Sequence, residues 1–226
     1  DIIRKLKNSY HELNTVKQEI DLNDVITIKK SDNLLINFKD KKNLNKNNTI
    51  IKAVVMLKHK YNIRNNVEIN VEKNIPFGSG LAGGSSDAAS VLVALNKLWK
   101  LKLKEEQLIL LAREIGRDVP YFIRKKTCFD NENGTIRELS KCPKMNLVII
   151  YPNFEVSSKY AYSNLDYNLV GKKLKTKEII KAIESQDLNK IAKNLYNDFE
   201  YFILEQYPKI KRIKEDLIKN SALNAS

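Results

Sequence analysis

Apolar and polar residues alternate strictly over Val67–Glu72: Val67, Ile69 and Val71 are separated by Glu68 and Asn70. A period of two puts the three apolar side chains on one face, which predicts a half-buried strand. Farther on the period changes. Ala88, Val91, Leu92, Leu95, Leu98 and Trp99 recur at helical spacing, and Ser85, Ser86 and Asp87 just before them supply N-cap chemistry. Between the two patterns runs Pro76-Phe77-Gly78-Ser79-Gly80-Leu81-Ala82-Gly83-Gly84, which holds four of the chain's seven glycines. The predicted order is strand, glycine-rich loop, helix N-terminus.

The same reading gives the remaining elements. Asp24 to Lys30, with Val25, Ile26, Thr27 and Ile28 all β-branched, and Asn33 to Phe38 predict two strands joined at Ser31-Asp32. Asn47-Asn48 then caps a helix that packs Ile51, Val54, Val55 and Met56 inward. A further helix, Glu105 to Ile115, stops at Gly116, a natural residue to follow a helix. Tyr121 to Ile123, Thr127 to Phe129 and Thr135 to Leu139 predict short strands that close a first domain, residues 1–143. The second domain, 144–226, opens with Leu147 to Tyr151, read as a buried strand, and continues as helices over Lys177–Ser185, Leu188–Leu195, Asp198–Glu205 and Pro208–Asn220. Pro208 sits at an allowed first-turn position. Strands and helices in such runs define an α+β chain.

A helix N-terminus has backbone N–H groups without internal acceptors and the positive end of the helix dipole, and glycines let a phosphate approach that backbone closely. The loop therefore predicts a phosphate-chain ligand. Three templates for such loops compete. Gly78-Ser79-Gly80-Leu81-Ala82-Gly83 fits G-x-G-x-x-G, but the dinucleotide fold needs a second parallel strand and an acidic residue after the helix, where this chain runs into another helix. A Gly-Lys-Ser/Thr sequence is absent, as is the His-Arg-Asp loop of protein kinases. The third template is Pro-x-Gly-x-Gly-Leu-(Gly/Ala)-(Gly/Ser)-(Gly/Ser)-Ser, and Pro76 to Ser85 match it.

Composition narrows the class further. With 226 residues, 42% hydrophobic and 30% charged, the chain can build one or two globular domains. No stretch approaches the ~18 uninterrupted apolar residues of a membrane span, and no signal-peptide pattern opens the chain, so a cytoplasmic protein with no membrane partner is expected. Cys128 and Cys142 are too few for a disulfide framework and too far apart for C-x-x-C. Two histidines, His11 and His59, do not make a multi-histidine metal site. The net charge of +13 raises nucleic-acid binding, but the lysines are spread along the chain, and the densest runs, Lys39 to Lys46 and Lys172 to Lys177, read as solvated loops. No nucleic-acid partner is expected.

The stretch Pro76 to Ser86 closely resembles the phosphate-binding motif of the GHMP small-molecule kinases. Gly116-Arg117-Asp118-Val119-Pro120 is similar to that family's Gly-x-Asp-Val-Pro, and Tyr10-His11-Glu12-Leu13 to the Tyr-His-Glu-Leu of its branch acting on 4-diphosphocytidyl-2-C-methyl-D-erythritol, with Asn8-Ser9 where Asp-Gly is usual. The resemblance implies a two-domain fold, with an N-terminal domain like ribosomal protein S5 domain 2 and a ferredoxin-like C-terminal domain, here incomplete. The strand carrying the family's Ala-Lys-(Ile/Leu)-Asn lysine and a third glycine motif are not in the sequence. It also implies ATP and Mg²⁺ as cofactors, a small-molecule substrate, and a monomer or weak homodimer.

By resemblance, Pro76, Phe77, Gly78, Ser79, Gly80, Leu81, Ala82, Gly83, Gly84, Ser85 and Ser86 hold the ATP phosphates, and Asn48 and Lys73 lie near its adenosine. Asp118 is the catalytic aspartate; held between a glycine and a proline, it has the fixed carboxylate that a hydroxyl acceptor needs. Tyr10 and His11, with Tyr162 and Ser158 from the second domain, contact the cytosine, Tyr160 being a rival for Tyr162. An aromatic face to stack on and an imidazole to read an edge suit a base. The implied reaction is phosphorylation of the substrate's 2-hydroxyl in non-mevalonate isoprenoid synthesis. Homoserine or mevalonate phosphorylation, which needs no Tyr-His pair, and a non-catalytic nucleotide-binding module are the competing readings.

Overall fold

The computed structural model describes residues 1–5, 11–39, 48–131, 136–154, 156–171 and 174–226. Tyr10 with Asn8-Ser9, Asn47, most of the 39–46 lysine run, and Lys172-Lys173 lie outside them. In chain order the elements are β1 (Ile2–Lys5), β2 (His11–Leu13), β3 (Thr15–Lys17), β4 (Val25–Ser31), β5 (Leu35–Phe38), α1 (Thr49–Lys60), β6 (Asn66–Glu72), α2 (Gly83–Leu98), α3 (Glu105–Ile115) and α4 (Val119–Arg124). Then follow β7 (Cys128–Asp130), β8 (Ile136–Glu138), α5 (Ser158–Ser163), α6 (Thr176–Glu184), α7 (Leu188–Asn194), α8 (Glu200–Gln206) and α9 (Pro208–Lys219).

Two units of packing emerge, residues 20–125 and residues 1–19 with 126–226. This partition differs from the expected one at 143/144: the N-terminal strands pack with the C-terminal half. In the 20–125 unit, β6 is the middle strand of a three-stranded sheet, antiparallel to β4 and parallel to β5. The two strands joined at Ser31-Asp32 therefore flank β6 and do not pair with each other. Val67, Ile69 and Val71, the alternating set, are buried against Ala53, Val54 and Leu57 of α1 and Leu92 and Leu95 of α2 in one core cluster.

Helix α1 buries Ile50, Ala53, Val54 and Leu57. That face is rotated from the expected one, and Val55 is exposed. The reason lies in the start of the helix: Asn48 Oδ1 accepts the Ile50 N–H, so Ile50 enters the apolar stripe at i, i+3, i+4 and i+7. Tyr121 to Ile123, expected as a strand, lie in helix α4, with Pro120 at its second position, where a missing N–H costs nothing. Gly116 ends α3 in extended geometry, φ −178°, so no left-handed residue terminates this helix.

In the other unit β1 pairs with β2, and β3, β7 and β8 form an antiparallel sheet in which Lys17 faces Cys128. The chain's first residues are tied in by charge. The Asp1 carboxylate accepts the Lys175 and Thr176 N–H groups at the start of α6, and the Ile2 N–H donates to Asp198 at 2.6 Å. Leu147 to Tyr151, expected as a buried strand, join no sheet among the described residues, and Val148 is 74% exposed. Apolarity on both faces marks such a run as a central strand, yet extended backbone becomes a strand only where a ladder partner is at hand.

Candidate active site

The glycine-rich loop joins β6 to α2, as the periodicity requires. Gly78 and Gly80 take φ of +65° and +76°, and Ala82, the residue before α2, is also left-handed at +56°. Gly83 is needed for another reason: a Cβ there would stand 2.9 Å from Ile75 Cγ2 and 3.4 Å from Lys73 Nζ. The helix starts earlier than expected. Ser85, Ser86 and Asp87 do not cap it but lie inside the helix, the two serines in its first turn, and the Ser85 and Ser86 N–H groups bond back to the Ala82 carbonyl at 3.0 Å. The Gly83 and Gly84 N–H groups, one turn too early for any intrahelical acceptor, are the donors a phosphate would meet.

A second helix start stands beside the first. Thr49, the first residue of α1, donates its hydroxyl to the Gly84 carbonyl at 2.6 Å. Two positive dipole ends thus converge on the loop, which adds to its attraction for an anion. Asn48 commits its Oδ1 to capping α1.

Lys73 closes the base of the loop. Its ammonium donates to the carboxylates of Asp24 and Asp87, and the three side chains are 8%, 3% and 5% exposed. It also lies 5.2 Å from the centroid of the Phe77 ring. Burial alone would raise the Asp24 carboxyl, but the Ile75 and Asn74 N–H groups and Lys73 outweigh it and hold that group below its ordinary value. For Asp87 burial wins: the carboxyl is pushed up to about 6 against the pull of Lys73, and the nearby Asp24 charge adds to the rise. Sequence reading missed both aspartates as loop clamps. Asp87 was visible only as a capping residue, and Asp24 only as the start of a strand 49 positions before its partner.

Asp118 directly precedes α4, and its carboxylate is not spent on capping that helix. Its neighbours Val119 and Pro120 are buried, and Val119 belongs to the same core as α2 and α3, so the backbone carrying Asp118 is anchored in packed structure.

The aromatic residues expected to meet a base lie in the other unit. His11 is buried, with Tyr162 stacked on its ring at 4.3 Å and 21°. Phe199 meets Tyr162 edge-on at 5.1 Å. Tyr160, the rival, hydrogen-bonds Gln206 instead. Tyr167, which no sequence pattern singled out, hydrogen-bonds His11 Nε2 at 2.6 Å. Ser158 begins α5.

Comparison with known proteins bears on this arrangement. The model for the GHMP kinases N terminal domain matches residues 48–126, from the cap of α1 through the glycine loop to the end of α4. Strand, loop and paired helix starts thus all lie within the stretch that matches a GHMP kinase N-terminal domain. A 4-diphosphocytidyl-2-C-methyl-D-erythritol kinase of Caldicellulosiruptor bescii is 39% identical over 99% of this chain and 79% of its own length. A crystal structure of 4-(cytidine 5'-diphospho)-2C-methyl-D-erythritol kinase superposes with a TM-score of 0.80 at 25% identity, covering 96% of this chain and 78% of that one. The homoserine kinase of Cytophaga hutchinsonii shares the fold at 18% identity, with a TM-score of 0.68 over 92% of this chain and 73% of that one. The chain belongs to the 4-diphosphocytidyl-2-C-methyl-D-erythritol kinase family. Its nucleotide is ATP, as for GHMP kinases generally. Among the described residues no helix is long and apolar enough to cross a membrane.

Proposed function

We propose that the protein transfers the γ-phosphoryl group of ATP to the 2-hydroxyl of 4-diphosphocytidyl-2-C-methyl-D-erythritol, a step of non-mevalonate isoprenoid synthesis. The observation that carries this reading is the 39% identity to a kinase of that name over 99% of the chain, and the loop geometry supplies the chemistry. A bond forms between the hydroxyl oxygen and γ-phosphorus, the bond from γ-phosphorus to the β–γ bridging oxygen breaks, ADP leaves, and the hydroxyl proton passes to a base.

Phosphoryl transfer calls mostly for positioning and charge neutralisation. The Gly83 and Gly84 N–H groups and the two helix starts receive the phosphates. Asp118 orients the acceptor hydroxyl and takes its proton, and its negative charge faces the proton as it leaves. The donor set fits a magnesium ion delivered on the triphosphate: hydroxyls at Ser85 and Ser86 in the first turn of α2, and no cluster of three or more His, Cys, Asp or Glu among the described residues. Mg²⁺ supplies charge neutralisation there. Tyr10, His11, Ser158 and Tyr162 grip the cytosine and so set substrate choice, while Asn48 and Lys73 border the adenosine.

Coupled-enzyme measurement of ADP release with Mg-ATP tests the reading. Release is expected with the cytidine-linked substrate and not with homoserine or mevalonate. Release driven equally by those alcohols would overturn it, and ATP binding with no turnover on any of them would favour the nucleotide-binding module.

A further inference from the structure

We infer that Asp24 is a positioning residue of the phosphate loop: without touching the nucleotide, its one carboxylate fixes the backbone that enters the loop and, through Lys73, the helix that leaves it, and so sets how tightly the phosphate chain is held. This rests on the reading of Gly83 and Gly84 as phosphate donors.

The ladder between β4 and β6 stops at the pair Val25 and Glu72. Beyond it the chain leaving β6 bonds to a side chain instead: Asp24 Oδ1 accepts the Asn74 N–H at 2.6 Å and the Ile75 N–H at 2.8 Å. Hydrogen bonds to a carboxylate at such distances are the strong ones. Ile75 is restricted further by Pro76, which follows it. Its buried side chain stands where a Cβ on Gly83 would meet it, 2.9 Å from Cγ2. One arm therefore runs from Asp24 through Ile75 to a residue whose N–H awaits the phosphate.

The other arm runs through charge. Lys73 donates to Asp24 Oδ2, and the same ammonium donates to Asp87 Oδ2, inside α2, at 2.7 Å. A lysine with one partner can swing about its flexible stem, and the second carboxylate holds it still. The Asp24 side chain is 3% exposed with both oxygens engaged. It has no face to offer a nucleotide, and its charge would repel a triphosphate, so its influence on the phosphates travels through the two arms. A cradle already in shape avoids the entropy that a slack loop loses on binding.

The test compares wild type, Asp24→Asn and Asp24→Ala at pH 7. Calorimetry gives the dissociation constant of Mg-ATP, competition against it gives that of adenosine, and amide exchange reports on residues 76–86 of the free protein. Asp24→Asn keeps an oxygen for the Asn74 and Ile75 N–H groups but sets an amide N–H against Lys73, which cuts the second arm; Asp24→Ala cuts both. We expect Asp24→Asn to lower the preference for ATP over adenosine roughly tenfold, the worth of one hydrogen bond between charged groups, while the adenosine constant moves less than about twofold. Asp24→Ala should lower the preference further. Exchange over 76–86 should quicken while Val67 to Val71 stay protected. Weakening of ATP and adenosine by one common factor, or a preference kept in full by both variants, would overturn the inference. If Asp24→Ala does not fold, Asp24→Asn, which conserves size and one acceptor, decides by the same readouts. A wild type that binds adenosine as tightly as ATP would instead overturn the reading of the loop as a phosphate site.

Discussion

Lys73, the first residue after β6, donates at 2.7 Å to Oδ2 of Asp87, the fifth residue of α2, so one ion pair spans the two ends of the glycine loop. Asp24 completes the clamp by accepting from Lys73 and from the Asn74 and Ile75 N–H groups. Removing the cation leaves two buried carboxylates facing each other. Lys73→Met is expected to lower unfolding free energy by about 3 kcal/mol, measured by urea denaturation at pH 7. A loss below 0.5 kcal/mol would show that the carboxylates find other solvation.

The clamp also gives stability a pH dependence. Asp87 titrates at about 6 in the folded protein against an ordinary 3.8, so the folded state keeps a proton that the unfolded state has already lost. Its contribution is full below the unfolded value and disappears as pH rises through 6. Asp24, held low, acts in the opposite sense and only at more acid pH. Wild-type stability relative to Asp87→Asn should therefore fall by on the order of 2 kcal/mol between pH 4 and pH 6.5. A flat difference across that window would contradict the raised value.

Asp118→Asn keeps the shape of the side chain and removes the proton acceptor. Turnover is expected to drop at least about a hundredfold, the low end for a general base, with the ATP dissociation constant little changed. Near-normal turnover would remove Asp118 from the mechanism.

Two glycines of the loop should fail for different reasons. Gly83→Ala drives a methyl into Ile75, at 2.9 and 3.1 Å, and is expected to cost roughly 1–3 kcal/mol and weaken ATP binding. Gly80→Ala meets no atom within 4 Å, so its cost, about 1 kcal/mol, is that of a left-handed alanine alone. Trimming the obstruction with Ile75→Ala should restore ATP affinity to Gly83→Ala and do nothing for Gly80→Ala.

Val67, in an alternating strand, is fully buried, whereas Val148, in an apolar run, is 74% exposed. Val67→Ser should cost about 2–3 kcal/mol by thermal or chemical denaturation, and Val148→Ser less than about 0.5 kcal/mol. Equal losses would mean that Leu147 to Ile150 are covered in solution.

What could be read in the residues was whatever is local and periodic. Strand β6, the loop, the core-facing stripe of α2 and the extents of α3, α6, α7 and α9 follow from spacing alone, because each depends on neighbours within a turn or a pleat. Tyr121 to Ile123 were misjudged because β-forming side chains yielded to a helix start set by Pro120 and anchored by buried Val119. Leu147 to Ile150 were misjudged because apolarity says nothing of a pairing partner. The Lys73 clamp and the bond from Tyr167 to His11 join positions 14, 49 and 156 residues apart, beyond the reach of any local pattern.

One of the two packing units is an uninterrupted stretch, residues 20–125, while the other is assembled from both sides of it. Strand β3 meets β7 only across a gap of more than a hundred residues, as in the pair Lys17 and Asp130. A ribosome therefore delivers every residue of the inner unit before the partner of β3 exists. The loop and its helices can condense early, shortening the effective closure for the outer strands, whose pairing is the late, slow and entropically costly event. Strand β3 spends translation waiting, whereas β1 and β2 can pair with each other at once, and the glycine loop is built before β3 has anything to pair with across that gap.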